Sequence, residues 1–464
     1  MKISVIGVGY LGAVHAAGMA ELGHDVIGLD VDAERVARLS RGDSPFHEPD
    51  FDSLLRRGLE AGRLQFTTAM EDLRDVEVHF LALGTPQGPN GGAADLSHLR
   101  SALADLVPVL ATRTPAHAVV VGKSTVPVGT ARELAEQLND LPGVDLAWNP
   151  EFLREGAAVE DTLHPDRLVY GLPDPDGGGR AADVLDAAYA PILESGTPRL
   201  LFDYETAELV KVSANAMLAT KLSFINAVAE VCEAAGGDVT QVAQALGLDD
   251  RIGPSYLRAG IGFGGGCLPK DIRSFASRAE ELDVLGPRDL LREVDAINER
   301  TRERVIDRAA ELLGGSVARR RVTVLGAAFK ADSDDVRDSP ALDVVRRLRA
   351  AGAIVTVTDP EALPSVQALH EGIRTVADRD SALRGAELVV LATDWHAYVE
   401  LDPQATAERV DVPRMLDARN ALDLGGWSRA GWVVAGMGRR RAQDAPTRHR
   451  ILEEGPGASV LQAG

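Results

Sequence analysis

The sequence predicts an α/β protein with two doubly wound domains that are joined by a long central helix. In two regions, short apolar runs rich in valine and isoleucine alternate with segments of helical periodicity, which is typical of parallel sheets with helices on both faces. Between them, residues 205–235 form a helical pattern without proline or glycine. The 464 residues also exceed what one ordinary core supports. We therefore expect domains at 1–200 and 316–440, a helical region at 201–315, and a disordered tail at 441–464.

The N-terminal region predicts a dinucleotide-binding unit. A short strand pattern, ISVI, leads into the glycines of GVGYLG and then into a helical pattern. In such a GxGxxG segment, the first glycine permits a tight turn, the second lets the backbone approach a pyrophosphate, and the third permits close helix packing. The second strand, DVIGLD, ends at Asp30, which is placed to bind an adenosine ribose and favours NAD over NADP. Arg35 follows five residues later and is a further candidate contact to the adenosine.

Three more strand patterns in this region lead into polar residues. They end near Thr85, near Thr125, and just before Glu151 and Glu155. Ligands of open parallel sheets lie beyond the carboxyl ends of the strands. Each threonine taken alone would be interpreted as a helix cap or a turn residue. Because the four residues share this location, we predict that they face one crevice.

The central helix carries two polar residues that we interpret as functional. Lys211 and Asn215 are four positions apart and therefore share one face. Small and apolar neighbours around Lys211 predict a crowded setting, where an ammonium aimed at developing negative charge is most effective. We interpret Lys221 as a solvated residue and Cys232 as a buried filler. A helix this long and apolar is expected to lie between domains or against a second subunit.

The segment GFGGGCLPKD at residues 262–271 contains Cys267, one of only two cysteines in the chain. Its glycines allow backbone conformations that are closed to other residues and let a substrate approach closely. Pro269 fixes the chain just beyond the sulfur. Lys270 and Asp271 bring charges of both signs within a turn of the thiol. A nearby cation favours the thiolate, which is the nucleophile, so we predict that Cys267 is catalytic.

The second α/β region repeats the first in outline. Strand patterns occur at VTVLG, AIVTVTD, AELVVLAT, RMLDARN and WVVAG, and a helical pattern, SPALDVVRRLRAAG, follows the first of them. The full GxGxxG is missing, so a nucleotide would be held here by other contacts. Charged residues follow the first strand, and their position at a strand end favours binding over a merely solvated face. They are Lys330, Asp334, Asp335 and Arg337.

Composition excludes several classes of protein and site. The formal net charge of −21 disfavours binding to nucleic acid or to an anionic membrane surface. Glycines interrupt the apolar N-terminus, so we reject a signal peptide, and no apolar run is long enough to span a membrane. Two cysteines cannot form a disulfide framework, which favours a cytoplasmic location. The histidines lack HxxxH and HExxH spacing, so we predict no metal site and no histidine base.

Taken together, these segments resemble the UDP-glucose/GDP-mannose dehydrogenase family from Met1 to about Arg439. The resemblance rests on six motifs in order: GVGYLG, KSTVPVGT, NPEFLREG, ELVKVSANAMLATKLSFINAVAEVC, GFGGGCLPKD and AFKADSDDVRDSP. It implies two Rossmann-like domains joined by a long helix that also forms the core of a homodimer or a higher homo-oligomer. This architecture agrees with the one predicted above from the residue patterns.

The resemblance implies a four-electron oxidation of the C6 hydroxymethyl group of a nucleotide sugar by two NAD. The first hydride transfer gives an aldehyde, Cys267 adds to it as a thiohemiacetal, the second transfer gives a thioester, and water releases the acid. Covalent capture of the aldehyde explains why a dehydrogenase needs a cysteine. The other implied catalytic residues are Lys211 and Asn215 for the oxyanion, Asp271 for thiolate formation or hydrolysis, and Thr125 with Glu155 for protons and an ordered water.

The resemblance also implies binding residues. Those for NAD are Gly7, Val8, Gly9, Tyr10, Leu11, Gly12, Asp30, Arg35, Thr85, Thr125, Glu155 and Arg337. Those for the substrate are Phe152, Leu153, Glu155, Lys211, Asn215, Phe263, Gly264, Lys330 and Arg419, with Arg251 reaching the sugar of the neighbouring subunit. Gly266 departs from the family, in which serine is more common before the cysteine.

The form RIGPSYLRAGIGFGGGC resembles the UDP-glucose branch and implies oxidation of UDP-glucose to UDP-glucuronate. The alternative is the same chemistry on UDP-N-acetylmannosamine, UDP-N-acetylglucosamine or GDP-mannose. Two other classes stay open. A two-electron hydroxyacid dehydrogenase of similar layout would leave Cys267 idle, and a non-enzymatic nucleotide sensor would bind NAD without turning over any nucleotide sugar.

Overall fold

The computed structural model describes residues 1–88, 91–176 and 178–439. They form one sheet in each half of the chain and a helical region between the sheets, built around a helix of 32 residues. The predicted fold class is therefore confirmed. The tail predicted to be disordered, at 441–464, lies outside the described residues.

The first sheet has eight strands. They are β1 (Lys2–Ile6), β2 (Asp25–Leu29), β3 (Leu64–Thr67), β4 (Val78–Leu81), β5 (Ala118–Gly122), β6 (Val144–Trp148), β7 (Leu168–Leu172) and β8 (Arg199–Asp203). Their order in the sheet is β3-β2-β1-β4-β5-β6-β7-β8. Neighbouring strands pair in parallel except β6 and β7, which are antiparallel. The last two strands therefore run against the first six.

Helices cover both faces of this sheet. They are α1 (Tyr10–Glu21), α2 (Ala33–Ser40), α3 (Phe51–Glu60), α4 (Ser97–Ala111), α5 (Thr130–Glu136), α6 (Ala158–Leu163), α7 (Gly179–Ala188) and α8 (Ala190–Glu194), with a 3₁₀ turn at Met70–Leu73. Side chains alternate between faces along a strand, so β5 contributes Val119 and Val121 to one buried cluster and Ala118 and Val120 to another. This two-sided burial explains the nearly continuous apolar runs of the strands.

The central region contains α9 (Tyr204–Ala235), α10 (Val239–Gly247), α11 (Leu268–Glu281) and α12 (Leu285–Leu312). Helix α9 begins after Asp203, whose carboxylate accepts a hydrogen bond from Thr206 N at 2.7 Å, and it ends at Gly236, whose φ of +74° is left-handed. One side of α9 packs against α11 and α12. Cys232 lies buried on that packed helix, as predicted. Within the described residues, no helix is long and apolar enough to cross a membrane.

The second sheet contains β9 (Arg321–Leu325), β10 (Ile354–Thr358), β11 (Leu388–Leu391), β12 (Arg414–Asp417) and β13 (Val433–Gly436). All neighbours are parallel, in the order β10-β9-β11-β12-β13. The helices are α13 (Pro340–Ala350), α14 (Leu363–Leu369), α15 (Arg379–Leu383), α16 (His396–Val399), α17 (Pro403–Ala407) and α18 (Leu424–Arg429). Val305, Ala309 and Leu312 of α12 belong to the core of this sheet. Helix α12 therefore connects the central region to the second domain.

Candidate active site

A cavity of about 870 Å³ lies at the carboxyl ends of strands from both sheets. The segment 149–155 after β6 lines it on one side, and Phe329 and Lys330 after β9 and Arg419 after β12 line it on the other. This is the crevice in which open α/β sheets bind their ligands. Helix α9 and the loop before α11 complete the wall. The cavity therefore joins residues from all three parts of the chain.

Nearly all the residues predicted to bind substrate line this cavity, and Cys267 lies in its wall. They are Phe152, Leu153, Glu155, Lys211, Asn215, Phe263, Gly264, Lys330 and Arg419. The exception is Arg251, which is 88% exposed and forms an ion pair with Asp249 at 2.5 Å. Within one chain, Arg251 is therefore not brought to the cavity.

The loop that carries Cys267 fits closely against α12 and the second domain. Asn298 of α12 accepts a hydrogen bond from Phe263 N at 2.8 Å and donates one to Phe263 O at 3.0 Å. A Cβ atom on Gly264 would lie 2.2 Å from the carbonyl oxygen of Asp338. Glycine is required there because the two backbones touch. The chain then reaches Cys267, which is the N-cap of α11.

Cys267 is accessible from the cavity, but its surroundings disfavour the thiolate. Burial raises the pKa of the thiol to about 12, and the carboxylates of Glu151, Asp271 and Glu155 add to the increase, with Lys211 opposing it. The sequence predicts that a nearby cation eases ionisation of the thiol, and Lys211 does act in that direction, but its effect is outweighed. The physical reason is first the burial of the sulfur and then the carboxylates around it, which together outweigh the ammonium group. A nucleophilic role for this sulfur would therefore require the thiol to lose its proton as it attacks.

We expect the reactivity of Cys267 to rise steeply with pH. Below a pKa of about 12, the thiolate fraction increases about tenfold per pH unit, so alkylation by iodoacetamide should be about 100-fold faster at pH 9 than at pH 7. The rate would be followed by mass spectrometry of the peptide that contains Cys267, with Cys267→Ser as the unreactive control. A plateau of the rate at or below about pH 10 would contradict the raised pKa.

Lys211 and Glu151 form a buried ion pair in the cavity wall. The Nζ atom of Lys211 lies 3.0 Å from Oε1 of Glu151, and the two side chains are only 6% and 10% exposed. Burial opposes the charge of Lys211, but nearby negative groups, with Glu151 first, outweigh it and raise the pKa of the ammonium. The ammonium also lies 5.6 Å from the centre of the Phe152 ring. Lys211 is thus a fixed cation that faces the cavity.

A chain of hydrogen bonds connects Asn215 to the first domain. Asn215 Nδ2 donates to Asp271 Oδ2 at 2.6 Å, and Lys270 Nζ donates to Asp271 Oδ1 at 2.6 Å. Lys270 also donates to Thr85 Oγ1 at 3.2 Å, and Thr85 donates to the carbonyl oxygen of Thr125 at 2.8 Å. The two threonines are therefore linked to the site through Lys270, and they lie outside the cavity wall.

Glu155 lies where the two domains meet. Its carboxylate accepts hydrogen bonds from Ser333 Oγ at 3.4 Å and from Arg337 at 3.3 Å, and both donors belong to the second domain. Burial, together with the charge of Asp335, raises the pKa of Glu155 to about 7, although Arg337 and Lys330 act in the opposite direction. A carboxyl group with such a pKa exchanges its proton near neutral pH, which suits a general base.

Arg337 also contacts the loop that carries the cysteine. A Cβ atom on Gly266 would lie 2.4 Å from Cζ of the Arg337 guanidinium. The departure from serine at this position therefore gives the guanidinium room to pack directly before Cys267. Asp335 holds the same guanidinium by hydrogen bonds of 2.7 to 2.9 Å.

The glycine loop of the first domain has the shape that a dinucleotide requires. Gly7 has a φ of +89°, and a Cβ atom on Gly12 would lie 1.9 Å from the carbonyl oxygen of Gly7. Both positions therefore require glycine. A Cβ atom on Gly9 would meet nothing within 4 Å, so the backbone there is open to a ligand. The loop leads directly into α1, whose N-terminus favours phosphate.

Asp30 follows β2 beside this loop and is held in place by its neighbours. Its Oδ2 accepts hydrogen bonds from Val8 N and from Arg35, both at 2.9 Å, and its Oδ1 accepts one from Asp32 N at 3.0 Å. A carboxylate offers about four acceptor sites, so Asp30 retains capacity for a ribose hydroxyl. Arg35 contacts this carboxylate directly. The residues present therefore fit an adenine dinucleotide.

The cavity also contains charged residues to which the sequence analysis assigned no role. Glu151 lies at the crevice as the sequence predicts, but no sequence pattern indicates its ion pair with Lys211. Lys123 donates to Asn149 at 3.1 Å, and burial lowers its pKa to about 8; its place in the KSTVPVGT motif was the available signal. Arg167 lies 3.9 Å from the centre of the Phe152 ring, and no sequence pattern indicated it. Among the described residues, no group of three or more potential ligands could hold a metal ion.

Most of the chain resembles proteins of known family. Residues 1–193 match the NAD binding domain of the UDP-glucose/GDP-mannose dehydrogenase family, residues 205–300 match its central domain, and residues 323–424 match its UDP binding domain. The UDP-glucose 6-dehydrogenase of Pseudomonas aeruginosa is 39% identical over 456 residues, which cover 95% of this chain and 98% of that protein. The enzyme of the same name from Rhizobium meliloti is 37% identical over 446 residues, and the alignment covers 95% of this chain and 100% of that protein.

Solved structures of related dehydrogenases resemble this chain in the same way. The structure of a UDP-glucose dehydrogenase from Pyrobaculum islandicum superposes with a TM-score of 0.85 at 36% identity and covers 95% of this chain and 98% of its own. The structure of a UDP-D-ManNAc dehydrogenase from Pyrococcus horikoshii has a TM-score of 0.81 at 26% identity, and the superposition covers 95% of this chain and 99% of that chain. NAD is thus the cofactor for which the first domain is built. The chain belongs to the UDP-glucose/GDP-mannose dehydrogenase family.

Proposed function

We propose that the protein oxidises the C6 hydroxymethyl group of UDP-glucose to a carboxylate and so produces UDP-glucuronate. The observation that carries the proposal is the presence of Cys267 in one cavity with the Lys211–Glu151 ion pair and with Asn215. Relatives at 37% and 39% identity are named for UDP-glucose. The structure named for a UDP-N-acetyl sugar is more distant, at 26% identity.

In the first oxidation, the sugar hydroxyl loses a proton and its carbon loses a hydride. Bound NAD supplies the hydride acceptor for this oxidation and for the next. Glu155 has a pKa of about 7 and suits the role of proton acceptor near neutral pH. Lys211 is a buried cation that stabilises negative charge on the sugar oxygen as the proton leaves. Thr125 lies outside the cavity wall but is linked to the site through Thr85 and Lys270. On the family resemblance, we propose that Thr125 with Glu155 holds the water that takes part in proton transfer.

In the second oxidation, Cys267 captures the aldehyde. The sulfur bonds to the aldehyde carbon, its proton leaves, and the carbonyl oxygen becomes the oxygen of a thiohemiacetal, stabilised by Lys211 and Asn215. Loss of a second hydride from the same carbon gives a thioester on Cys267. Water then attacks, the carbon–sulfur bond breaks, and the acid and the free thiol are released. Asp271, hydrogen bonded to Asn215 at 2.6 Å, assists deprotonation of the thiol or hydrolysis.

The stoichiometry of the reaction tests this function. NADH formed per nucleotide sugar consumed would be measured with UDP-glucose, GDP-mannose, UDP-N-acetylmannosamine and UDP-N-acetylglucosamine, each offered separately. We expect two NADH per UDP-glucose. A value of one would overturn the role of the cysteine, and turnover with only another of these sugars would overturn the choice of substrate.

We further propose that α9 forms the core of a homodimer. Met217, Phe224 and Val231 are spaced by seven residues along α9 and are 63%, 54% and 65% exposed, although all three are large and apolar. Such a line on one helix face suits packing against a second copy of the same helix. Arg251, which is exposed and outside the cavity of its own chain, is proposed to reach the sugar of the neighbouring subunit.

Replacing Phe224 by glutamate should disrupt this dimer. A carboxylate at the centre of the apolar line would be buried without a partner, so we expect the mass in solution to fall from that of two chains to that of one. Light scattering after size exclusion would measure the mass. Leu369→Glu is the matched control, since Leu369 is 66% exposed on another helix. A Phe224→Glu protein that keeps the mass of two chains would rule out this interface.

A cytoplasmic location is also part of the proposal. Cys232 and Cys267 are both free in the structure. A mechanism that needs a free thiol at Cys267 suits a reducing compartment, where such a thiol persists.

A further inference from the structure

Glu48 is a buried carboxylate that the reaction described above does not use. It lies between α2 and α3 and is 7% exposed. Its Oε2 accepts hydrogen bonds from the Tyr10 hydroxyl and from Gly156 N, the latter at 2.6 Å, and its Oε1 accepts one from Ala158 N at 2.7 Å. Gly156 N also lies 3.3 Å from the Tyr10 hydroxyl. Three donors thus converge on one carboxylate, and hydrogen bonds to a charged acceptor are the strong ones.

These donors come from two functional segments. Tyr10 is the first residue of α1 and belongs to the glycine loop, whereas Gly156 directly follows Glu155 in the segment that lines the cavity. Glu48 and Gly156 are 108 residues apart in the chain. Glu48 therefore ties the start of the dinucleotide-binding helix to the segment that carries Glu155.

The second domain holds the opposite side of the same segment. Gly156 has a φ of +78°, and a Cβ atom there would lie 2.9 Å from the carbonyl oxygen of Asp332. Ser333 and Arg337 hold the carboxylate of Glu155. The peptide around Gly156 is therefore clamped between Glu48 on one side and the second domain on the other.

We infer that Glu48 is a positioning residue, which holds Gly156 and thereby keeps the Glu155 carboxylate in the cavity and against the second domain. The inference rests on the proposed function, because it assigns to Glu48 an effect on the proton transfer for which Glu155 is responsible. Glu48 itself lies outside the residues that line the cavity.

Loss of the hydrogen bond that holds Gly156 should change the pKa of the neighbouring Glu155. Burial, followed by the charge of Asp335, raises the pKa of Glu155 to about 7. The charged and titratable groups around this carboxyl are Asp335, Arg337, Lys330, Tyr10 and Cys267. A freed segment would let Glu155 move toward water, and its pKa would fall toward that of an ordinary glutamate. Because the base acts when ionised, the acid limb of the rate profile would move to lower pH.

The test is Glu48→Gln. Glutamine keeps the shape but replaces one acceptor oxygen with an amide donor, which would face a backbone N–H. We expect kcat with UDP-glucose to fall about 10- to 100-fold, as for a catalytic group displaced by about 1 Å. The acid limb should move down from near pH 7 by at least roughly half a unit, because Glu155 becomes more hydrated. An unchanged limb would overturn the inference.

Glu208→Gln is the matched control for stability. Glu208 is also buried and accepts two backbone hydrogen bonds, from Gly129 N and Ala131 N, both at 2.6 Å. We expect this variant to lower the melting temperature without moving the acid limb. If both variants moved the limb equally, the effect would be one of general stability, and Glu48 would have no positioning role.

Coupling to Glu155 provides the second measurement. In a Glu155→Gln background, Glu48→Gln should cost little further kcat, whereas additive losses would show that Glu48 does not act through Glu155. Glu48→Asp retains the charge and should displace the limb less than Glu48→Gln. It also keeps the inference testable if the glutamine variant folds poorly. If the wild-type protein oxidised no nucleotide sugar, the proposed function would be refuted. If the wild type turned over normally but the kcat losses of Glu48→Gln and Glu155→Gln were additive, only this inference would be refuted.

Discussion

Cys267→Ser is expected to abolish formation of the acid, with a loss of at least about a thousandfold in its rate, as is usual when a covalent nucleophile is removed. Serine is nearly isosteric, so the cavity and the Lys211–Glu151 pair should persist. A hydroxyl is a far weaker nucleophile than a thiol, so capture of the aldehyde should fail. In the proposed reaction, the first oxidation does not require the sulfur. In a single turnover with UDP-glucose, we expect at most one NADH per active site in place of two.

Cys232→Ser is the control for this experiment, because Cys232 is buried in α9 and should leave the yield at two NADH. Mass spectrometry of quenched wild-type enzyme would detect an acyl group on Cys267 and none on the serine variant. Normal activity of Cys267→Ser would instead identify a two-electron dehydrogenase in which the cysteine is idle. NAD binding without turnover of any sugar by the wild type would favour a nucleotide sensor.

Elements with strong local patterns could be predicted from the sequence, and those fixed by tertiary contacts could not. Strand β1 and helix α9 follow directly from an apolar run and from an unbroken helical period. Strand β3, with the sequence LQFT, has too little apolar content to stand out from its neighbours. Strand β7 is apolar, but its antiparallel pairing with β6 depends on a single pair, Trp148 and Gly171. No residue pattern specifies that reversal.

The site divides in the same way. The motifs indicate many of the residues that line the cavity with Cys267, because these residues follow strands or lie on α9. The ionisation of the thiol could not be inferred, because it depends first on burial and then on carboxylates from two segments: Glu151 and Glu155 after β6, and Asp271 in α11. Local charge suggested a more acidic thiol, and burial makes it less acidic. No local pattern indicates Glu48 for a similar reason, because its hydrogen bond to Gly156 joins residues 108 positions apart.

Lys211→Met should cause two separable losses. The proposed reaction would lose the cation assigned to the oxyanion, so kcat should fall by about 10²- to 10³-fold. The fold is left with the Glu151 carboxylate, which is only 10% exposed, without its partner at 3.0 Å. Removing one member of a buried ion pair costs about 3 to 5 kcal/mol. Urea unfolding at neutral pH would measure the loss of stability, and NADH formation would measure the loss of rate.

The double variant Lys211→Met with Glu151→Gln separates the two roles of the lysine. Glutamine removes the unpaired charge but can still accept the hydrogen bond that Leu153 N donates to Glu151 at 2.8 Å. Most of the free energy of unfolding should therefore return, since replacing both members of a buried pair by neutral groups is often close to neutral. The rate should not return, because the ammonium group of Lys211 would still be missing from the cavity. If activity recovered together with stability, Lys211 would serve only as the counter-ion of Glu151, and its assignment to the oxyanion would be wrong.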